Sequence, residues 1–306
     1  MPHLFHNKTV MLPVALIGGA IFHQWMGYVT FLSPYLIFAM LFITYCKLRP
    51  SDFRLTREEC LLLGIQFLLS AVVYGALAWW DHTVAEGVFI CVFVPTATAA
   101  PVITSMLGGS ISKVATYSLL CNLTVAAIGP IVLAWIGDTP ELTFTESFLR
   151  ILSQVVPLLL GPLLVAFLLR YAWPSLHSKI VGHQQLSFYL WAVALFIIVG
   201  SCVSFAISHW RPENTMTMIW LTFGALAACL IQFKVGRRFG SRYGDPVSGG
   251  QSLMQKNTVL AFWLALAYMN PIASIAPAAY IAWQNIINSW QLMRHDSKVR
   301  NLEKIS

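Results

Sequence analysis

Apolar residues run along this chain in long blocks divided by short polar stretches. The blocks fall near residues 11–31, 33–47, 60–80, 86–108, 112–136, 149–170, 186–208, 214–233, 250–269 and 271–291. A helix of about 20 residues crosses the hydrocarbon of a bilayer, so the pattern predicts an all-α membrane protein with ten transmembrane helices. The second block is the shortest, and residues 31–34 must turn tightly to separate it from the first. The first block follows His6 and Lys8 in the charge order of a secretory signal. It runs too long for one and lacks a clear small-residue cleavage site, so it reads as a span. Little chain is left between blocks, which predicts a single membrane domain over residues 1–306.

Charge then sets the orientation. With the amino terminus placed inside, the inner segments take Lys8; Lys47, Arg49, Arg54 and Arg57; Lys113; Arg170 and Lys179; Lys234, Arg237, Arg238 and Arg242; and Arg294, Lys298, Arg300 and Lys304. Of the 19 basic residues only Arg150 and Arg211 then fall outside, and Lys256 stays within a span. Basic residues in short loops mark the cytoplasmic side. An even number of spans in a bacterial inner membrane, with both termini cytoplasmic, therefore accounts for nearly every charge. The acidic stretch 138–146 lies outside, which the rule tolerates because acids contribute little to orientation.

Composition narrows the function classes. Hydrophobic residues make up 58% of the chain and charged residues 10%, against roughly 25% charged in a soluble domain, so the surface must be solvated by lipid. The net charge of +7 does not indicate nucleic acid, because no basic run is interleaved with stacking aromatics. Cys46, Cys60, Cys91, Cys121, Cys202 and Cys229 are scattered without metal-type spacing and read as small packing residues. No cofactor and no metal ion is expected.

Ten spans divide into two halves of five, approximately residues 9–137 and 147–292, and an odd number per half makes the second an inverted copy of the first. The breakers fit this division. Pro95-Thr-Ala-Thr-Ala-Ala-Pro101 interrupts the fourth span, and Gly249-Gly-Gln-Ser-Leu-Met-Gln-Lys-Asn257 puts polar groups into the ninth. Broken helices at matched positions point to a transport site, since they free backbone groups and aim helix-end dipoles at whatever lies between them. A simple proline kink is the plainer reading of Pro95 and Pro101.

The carboxylates, Asp52, Glu58, Glu59, Asp81, Glu86, Asp138, Glu141, Glu146, Glu213, Asp245, Asp296 and Glu303, fall in loops, tails or span ends. That disfavours a proton pump built on buried acids or a two-aspartate membrane protease. Lys256 is the conspicuous buried ion. A lysine at mid-bilayer costs about 2.5–3.5 kcal/mol, so it should face a cavity, or else snorkel to an interface that lies closer than expected. Gln251, Gln255 and Asn257 beside it are neutral ligands that bind substrate or cap a helix end. Ser118 and Asn122, one helical turn apart, line a pathway or tie helices together. His23 is isolated and should make a structural hydrogen bond. Trp79, Trp80, Trp210 and Trp290 read as interfacial anchors.

With these residues in hand, the chain resembles the bile acid:sodium symporter family over nearly its whole length. Pro95-Thr-Ala-Thr-Ala-Ala-Pro-Val-Ile-Thr104 is similar to that family's first crossover segment, and Gln251-Ser-Leu-Met-Gln-Lys-Asn257 to its second. Pro277-Ala-Ala-Tyr-Ile-Ala-Trp-Gln-Asn-Ile-Ile-Asn-Ser289 is similar to its last span. The resemblance implies a four-helix panel and a six-helix core, with the two crossovers meeting at the substrate site. It marks Thr96, Thr98, Pro101, Gln251, Gln255, Lys256, Asn257 and Asn285 as substrate-binding candidates, and Lys256, Ser118 and Asn122 as the cation site or pathway.

The chain departs from the family where sodium binds. Gln251, Ala100 and Pro101 stand at positions where the family places a glutamate and a Ser-Asn pair, and Lys256 follows Gln255 where the family has asparagine. The expectation is a sodium-independent secondary transporter in which the Lys256 ammonium replaces a bound cation. Its substrate would be a small organic anion such as a pantothenate-like, keto or sterol acid. A sodium-coupled symporter with rearranged sites, a membrane-embedded enzyme and a non-transporting sensor are the rival readings. An enzyme would need a nucleophile and base or a metal cluster on facing spans, and the scattered Ser, Cys and His do not offer one.

Overall fold

The computed structural model describes residues 14–47, 55–97, 99–137, 143–183, 185–208 and 210–303, with side chains described except at 185, 188 and 296–303. Thr98, His6, Lys8, Arg49, Asp52, Arg54, Asp138, Glu141 and Lys304 lie outside the described residues, as do the side chains of Asp296, Lys298, Arg300 and Glu303.

Helix after helix follows the apolar blocks. α1 covers residues 14–21 and resumes at His23–Met26 after a turn at Phe22. A single 3-10 turn, Thr30–Leu32, leads into α2 (Ser33–Lys47), so the tight turn between the first two blocks is itself helical. Then come α3 (Arg57–Ala78), α4 (His82–Phe93), α5 (Ala100–Met106), α6 (Ile111–Ile136), α7 (Phe144–Ala172), α8 (Pro174–Gly182) and α9 (Gln185–Ser208). The chain ends with α10 (Pro212–Ser241), α11 (Pro246–Met254), α12 (Thr258–Tyr268), a 3-10 turn at Pro271–Ser274 and α13 (Ile275–Glu303). Among the described residues six helices are long and apolar enough to cross a membrane: Thr30–Lys47, Arg57–Ala78, Ile111–Ile136, Phe144–Ala172, Tyr189–Ser208 and Pro212–Ser241. α4 and α12 are shorter apolar helices.

Local chemistry explains where these helices begin. Thr56 and Glu59 form a reciprocal capping box at the start of α3, and Thr143 and Glu146 form another at α7. In each, the hydroxyl and carboxylate satisfy amide groups that the first turn leaves without partners. Asp81, Ser110, Asp245 and Asn257 cap α4, α6, α11 and α12 singly, each side chain accepting one first-turn amide. Pro130, Pro157 and Pro162 lie inside α6 and α7, where packing in a membrane protein tolerates them.

Burial is distributed as lipid solvation requires. Large apolar side chains such as Ile17, Leu68, Val72, Trp135, Leu168 and Phe223 point outward, while Gln66, Thr96, Gln232, Gln251 and Lys256 are sealed inside. α1, α2, α7 and α9 pack on one another, and α3, α4, α10, α11 and α13 form a second set of neighbours. Several glycines bring backbones almost into contact. On α10 and α11, a Cβ at Gly236 would lie 2.3 Å from the Gly249 carbonyl oxygen, and one at Gly249 would lie 2.4 Å from that of Gly236. On α1 and α9, a Cβ at Gly19 would meet the Phe196 carbonyl oxygen at 2.4 Å. Small residues permit such approach, which is how helices gain packing where hydrophobic exclusion from lipid contributes little.

Several expectations need correction. α8 is an additional helix, because Pro174 fits the first helical turn, where its missing N–H is not needed. Gly249 to Met254 are helical, so the second interruption is confined to Gln255, Lys256 and Asn257. The glycines there serve the α10 contact and not a break. Glu58, Glu59 and Glu86 occupy helix ends as expected but are buried, since each finds a donor: Lys113 for Glu58, Thr56 for Glu59 and the Asn270 amide for Glu86. His23 Nδ1 is buried without a partner among the described residues. The neighbouring α1–α9 seam of Gly19, Phe196 and Gly200 is apolar. All six cysteines are free, and Cys60 is exposed and does not pack.

Candidate functional site

Both interruptions are true breaks, and they meet. Pro95 cannot donate to a helix ladder and it disfavours helical geometry at Val94, so α4 ends with the Val94 amide on the Ile90 carbonyl (3.2 Å). Pro101 falls in the first turn of α5, where a proline is accommodated. In the second break Gln255 is extended and Asn257 restarts the helix by accepting the Leu260 amide (3.2 Å). The two extended pieces pair antiparallel through Thr96 and Lys256. The Ala97 amide donates to the Gln255 carbonyl and the Asn257 amide to the Pro95 carbonyl, each at 2.9 Å. A buried, opened helix would otherwise leave these backbone groups unsatisfied at a cost of several kcal/mol each.

Side chains complete the accounting. Thr96 Oγ1 donates to the Ser252 carbonyl at 2.8 Å, and the Lys256 amide donates to Gln284 Oε1 at 3.1 Å. Ser118 Oγ donates to the Thr96 carbonyl at 3.3 Å. Lys256 is 1% exposed, and its Nζ donates to the Val94 carbonyl at 3.1 Å. That carbonyl is the C-terminal end of α4, the negative pole of a helix, where a cation is stabilised. Among the described residues Lys256 has no carboxylate partner.

One arrangement occurs twice around the crossing. On α3, Gln66 donates to the Phe93 (2.9 Å) and Val94 (3.2 Å) carbonyls and accepts from Tyr117 of α6 at 2.5 Å. On α10, Gln232 donates to Tyr280 of α13 at 2.9 Å and to the Cys91 carbonyl at 3.4 Å, while Tyr280 donates to the Met254 carbonyl at 2.8 Å. A glutamine and a tyrosine thus hold the carboxyl end of each broken helix. Asn122 and Asn285 are a further match, each donating to the carbonyl four residues earlier on its own helix, at 2.7 Å.

Of the candidate residues, Thr96, Ser118, Gln251, Gln255, Lys256 and Asn257 gather at or beside the crossing. Pro101 sits one turn beyond it on α5. Asn122 and Asn285 turn back on their own helices, and the residue of α13 that reaches the crossing is Gln284. Gln66, Gln232, Tyr117, Tyr280 and Gln284 escaped the sequence reading. Their signal is present as internal repetition: Ile65-Gln-Phe67 recurs as Ile231-Gln-Phe233, and Tyr117-x4-Asn122 as Tyr280-x4-Asn285.

Not every polar group here is satisfied. Among the described residues Gln255 Nε2, Asn257 Nδ2, Gln251 Oε1, Asn288 Nδ2 and Gln291 Nε2 are buried without a hydrogen-bond partner. Native interiors rarely leave such groups unpaired, and they are completed by water or a ligand.

Away from the crossing, polar clasps tie the loops. Lys113 Nζ contacts Glu58 Oε2 at 2.6 Å. Asp245 accepts from the Ser248 amide (2.9 Å), the Ser248 hydroxyl (2.6 Å) and the Ser110 amide (3.2 Å). Partial burial works to raise the Asp245 pKa, but these hydrogen bonds and nearby Lys113 outweigh it and hold the carboxyl below its ordinary value. Near the ends of α4 and α12, the Asn270 amide donates to Glu86 Oε2 at 3.1 Å. No group of three metal-ligating side chains occurs among the described residues. No protein-family model matches the chain, and none of the curated proteins compared with it is significantly similar.

Proposed function

We propose that the chain is a secondary transporter of a small organic anion, and that the Lys256 ammonium stands where related transporters would hold a bound cation. Ten spans in two inverted repeats belong to this reading, with α4–α5 and α11–α12 as the fourth and ninth spans and both termini cytoplasmic. α1, α2, α7 and α9 form the panel and the remaining spans the core. The repeated Gln-Tyr arrangement supports the two-fold relation, because an antiparallel bridge is itself locally two-fold symmetric.

The observation that carries the proposal is the crossing itself. It joins a lysine on the C-terminal carbonyl of α4 to unpartnered amides, Gln255 and Asn257, at the N-terminal end of α12. Orphan N–H donors beside a positive helix end suit a carboxylate or sulfonate. Sodium would have to compete with an ammonium already bonded to Val94, so transport without sodium follows.

The test begins with thermal-shift screening of purified protein against keto acids, pantothenate-like acids and sterol acids, since a ligand of the folded state raises its stability. Uptake of the acids that bind is then measured in proteoliposomes with sodium replaced by choline. Uptake should persist, and Lys256→Gln should abolish it while the protein still inserts. Loss of uptake in choline would overturn sodium independence, and no uptake of any bound acid would overturn the transport reading.

A further inference from the structure

α13 turns one polar stripe toward the crossing. Gln284, Asn288, Gln291 and His295 follow one another at helical spacing. Gln284 holds the Lys256 amide, and Asn288 Oδ1 accepts from Gln251 Nε2 at 3.4 Å. His295 lies near Gly108, in the loop that precedes Lys113. The stripe therefore leads from Lys256 to the end of the molecule that bears the Lys113–Glu58 and Asp245–Ser110 clasps, the cytoplasmic end in the proposed topology.

Three atoms along this route, Gln251 Oε1, Asn288 Nδ2 and Gln291 Nε2, are buried with no partner among the described residues. Turning an amide over exchanges its oxygen for its nitrogen and still leaves a polar atom unpaired. Lys256 is in the same position: an ammonium has three donors, and among the described residues one bond, to Val94, is made. A row of unpaired amides of both polarities, ending on an under-bonded amine, is what a file of water molecules would complete.

We infer that Lys256 is the proton-carrying residue of this transporter, exchanging protons with the cytoplasm along a hydrated track past Gln251, Asn288, Gln291 and His295. This rests on the transport reading above. In the step, one Nζ–H bond of the ammonium breaks, its electron pair stays on nitrogen, and the proton passes to water and along the track to bulk solvent. The neutral amine keeps a hydrogen on the Val94 carbonyl but no longer attracts an anion, so proton and anion leave together. Among the described residues the titratable groups nearest Lys256 are thiols, Cys91 of α4 and Cys121 of α6. Cys229 of α10 and Tyr280 of α13 form the next layer. None of these is a carboxylate, so the charge is left for substrate to balance.

The track is tested without any substrate. In protein whose native cysteines are replaced, Asn288→Cys, Gln291→Cys and the apolar control Ile287→Cys are treated with the permanently charged, membrane-impermeant 2-(trimethylammonium)ethyl methanethiosulfonate in inside-out and right-side-out vesicles. A thiol reacts as thiolate, which water favours and apolar burial suppresses. The two track positions should therefore label about tenfold or more faster than Ile287→Cys, and from the cytoplasmic side alone. Labelling no faster than the control, or equally from both sides, overturns the track.

Proton carriage is read separately, by NMR of carbon-labelled lysine in lipid, the Lys256 signal being the one lost in Lys256→Gln. It should move with pH in the wild type, and a signal that stays fixed overturns the assignment even if the track is wet. The failures are distinguishable. A titrating, accessible Lys256 in a protein that takes up no acid would remove the transport reading alone, while sodium-independent uptake past a dry track would remove this inference alone.

Discussion

Replacing Lys256 by methionine should abolish transport while costing the fold no more than about 0.5 kcal/mol of stability. The crossing does not depend on the lysine head group. The Ala97–Gln255 and Asn257–Pro95 backbone bonds and the Thr96–Ser252 bond all persist without it, and the Val94 carbonyl keeps Gln66 as a donor. Methionine is unbranched and of similar length, so it can occupy the space of the lysine stem. Removing a buried lysine relieves about 2.5–3.5 kcal/mol on membrane-insertion scales, and losing its hydrogen bond costs about 1.5–3 kcal/mol. The difference lies between a loss of about 0.5 and a gain of about 2 kcal/mol. The assay pairs thermal melting in detergent with uptake in proteoliposomes. A variant destabilised by several kcal/mol would show Lys256 to be a structural clamp, and a stable variant that still transports would show the ammonium to be dispensable; either result refutes the reasoning.

Gln66→Leu orphans the Tyr117 hydroxyl and the Phe93 carbonyl in the interior, so it should cost about 2–4 kcal/mol, read as a fall in melting temperature; Gln232→Leu should cost less, because Tyr280 still donates to the Met254 carbonyl and Gln232 Oε1 has no partner to lose. Gly236→Val should prevent α10 from seating on α11, because even one Cβ would sit 2.3 Å from the Gly249 carbonyl oxygen; size-exclusion chromatography should show aggregate in place of a monodisperse peak. Asp245 has a depressed pKa in the folded protein, so its stabilising contribution is complete above the ordinary aspartate value of about 3.9 and disappears only as pH falls through the lower folded value. Melting temperatures followed into acid should therefore drop more steeply for the wild type than for Asp245→Asn, and parallel curves would exclude this clasp as the cause.

Much of this protein was legible as a pattern. Lipid-facing and buried helices alike must be apolar, so each block in the sequence announces a helix, and Pro95 and Pro101 announce a break because proline lacks a donor wherever it stands. Lys256 was conspicuous for the same reason: a charge within an apolar block is costly in any fold. Other features were legible but passed over. The recurrence of Ile-Gln-Phe and of Tyr-x4-Asn, and the Gly236-x3-Gly240 spacing, are written in the chain and mark the paired clasps and the α10–α11 seam.

What no single segment contains is the partner of each exposed group. Glu58 and Glu86 look like ordinary solvated acids at helix ends until Lys113 and the Asn270 amide, brought from distant parts of the chain, make their burial tolerable. Asn285 and Gln284 are adjacent in sequence, and only the rotation of α13 against the crossing decides that Gln284 meets Lys256 while Asn285 folds back on Ile281. The sequence by itself determined where helices could exist and where they had to open, since those depend on local backbone donors and on transfer from water to lipid. The tertiary structure alone decided which opened strand pairs with which and which amides stay unpaired, because hydrogen bonds are satisfied between segments and their geometry is set by packing.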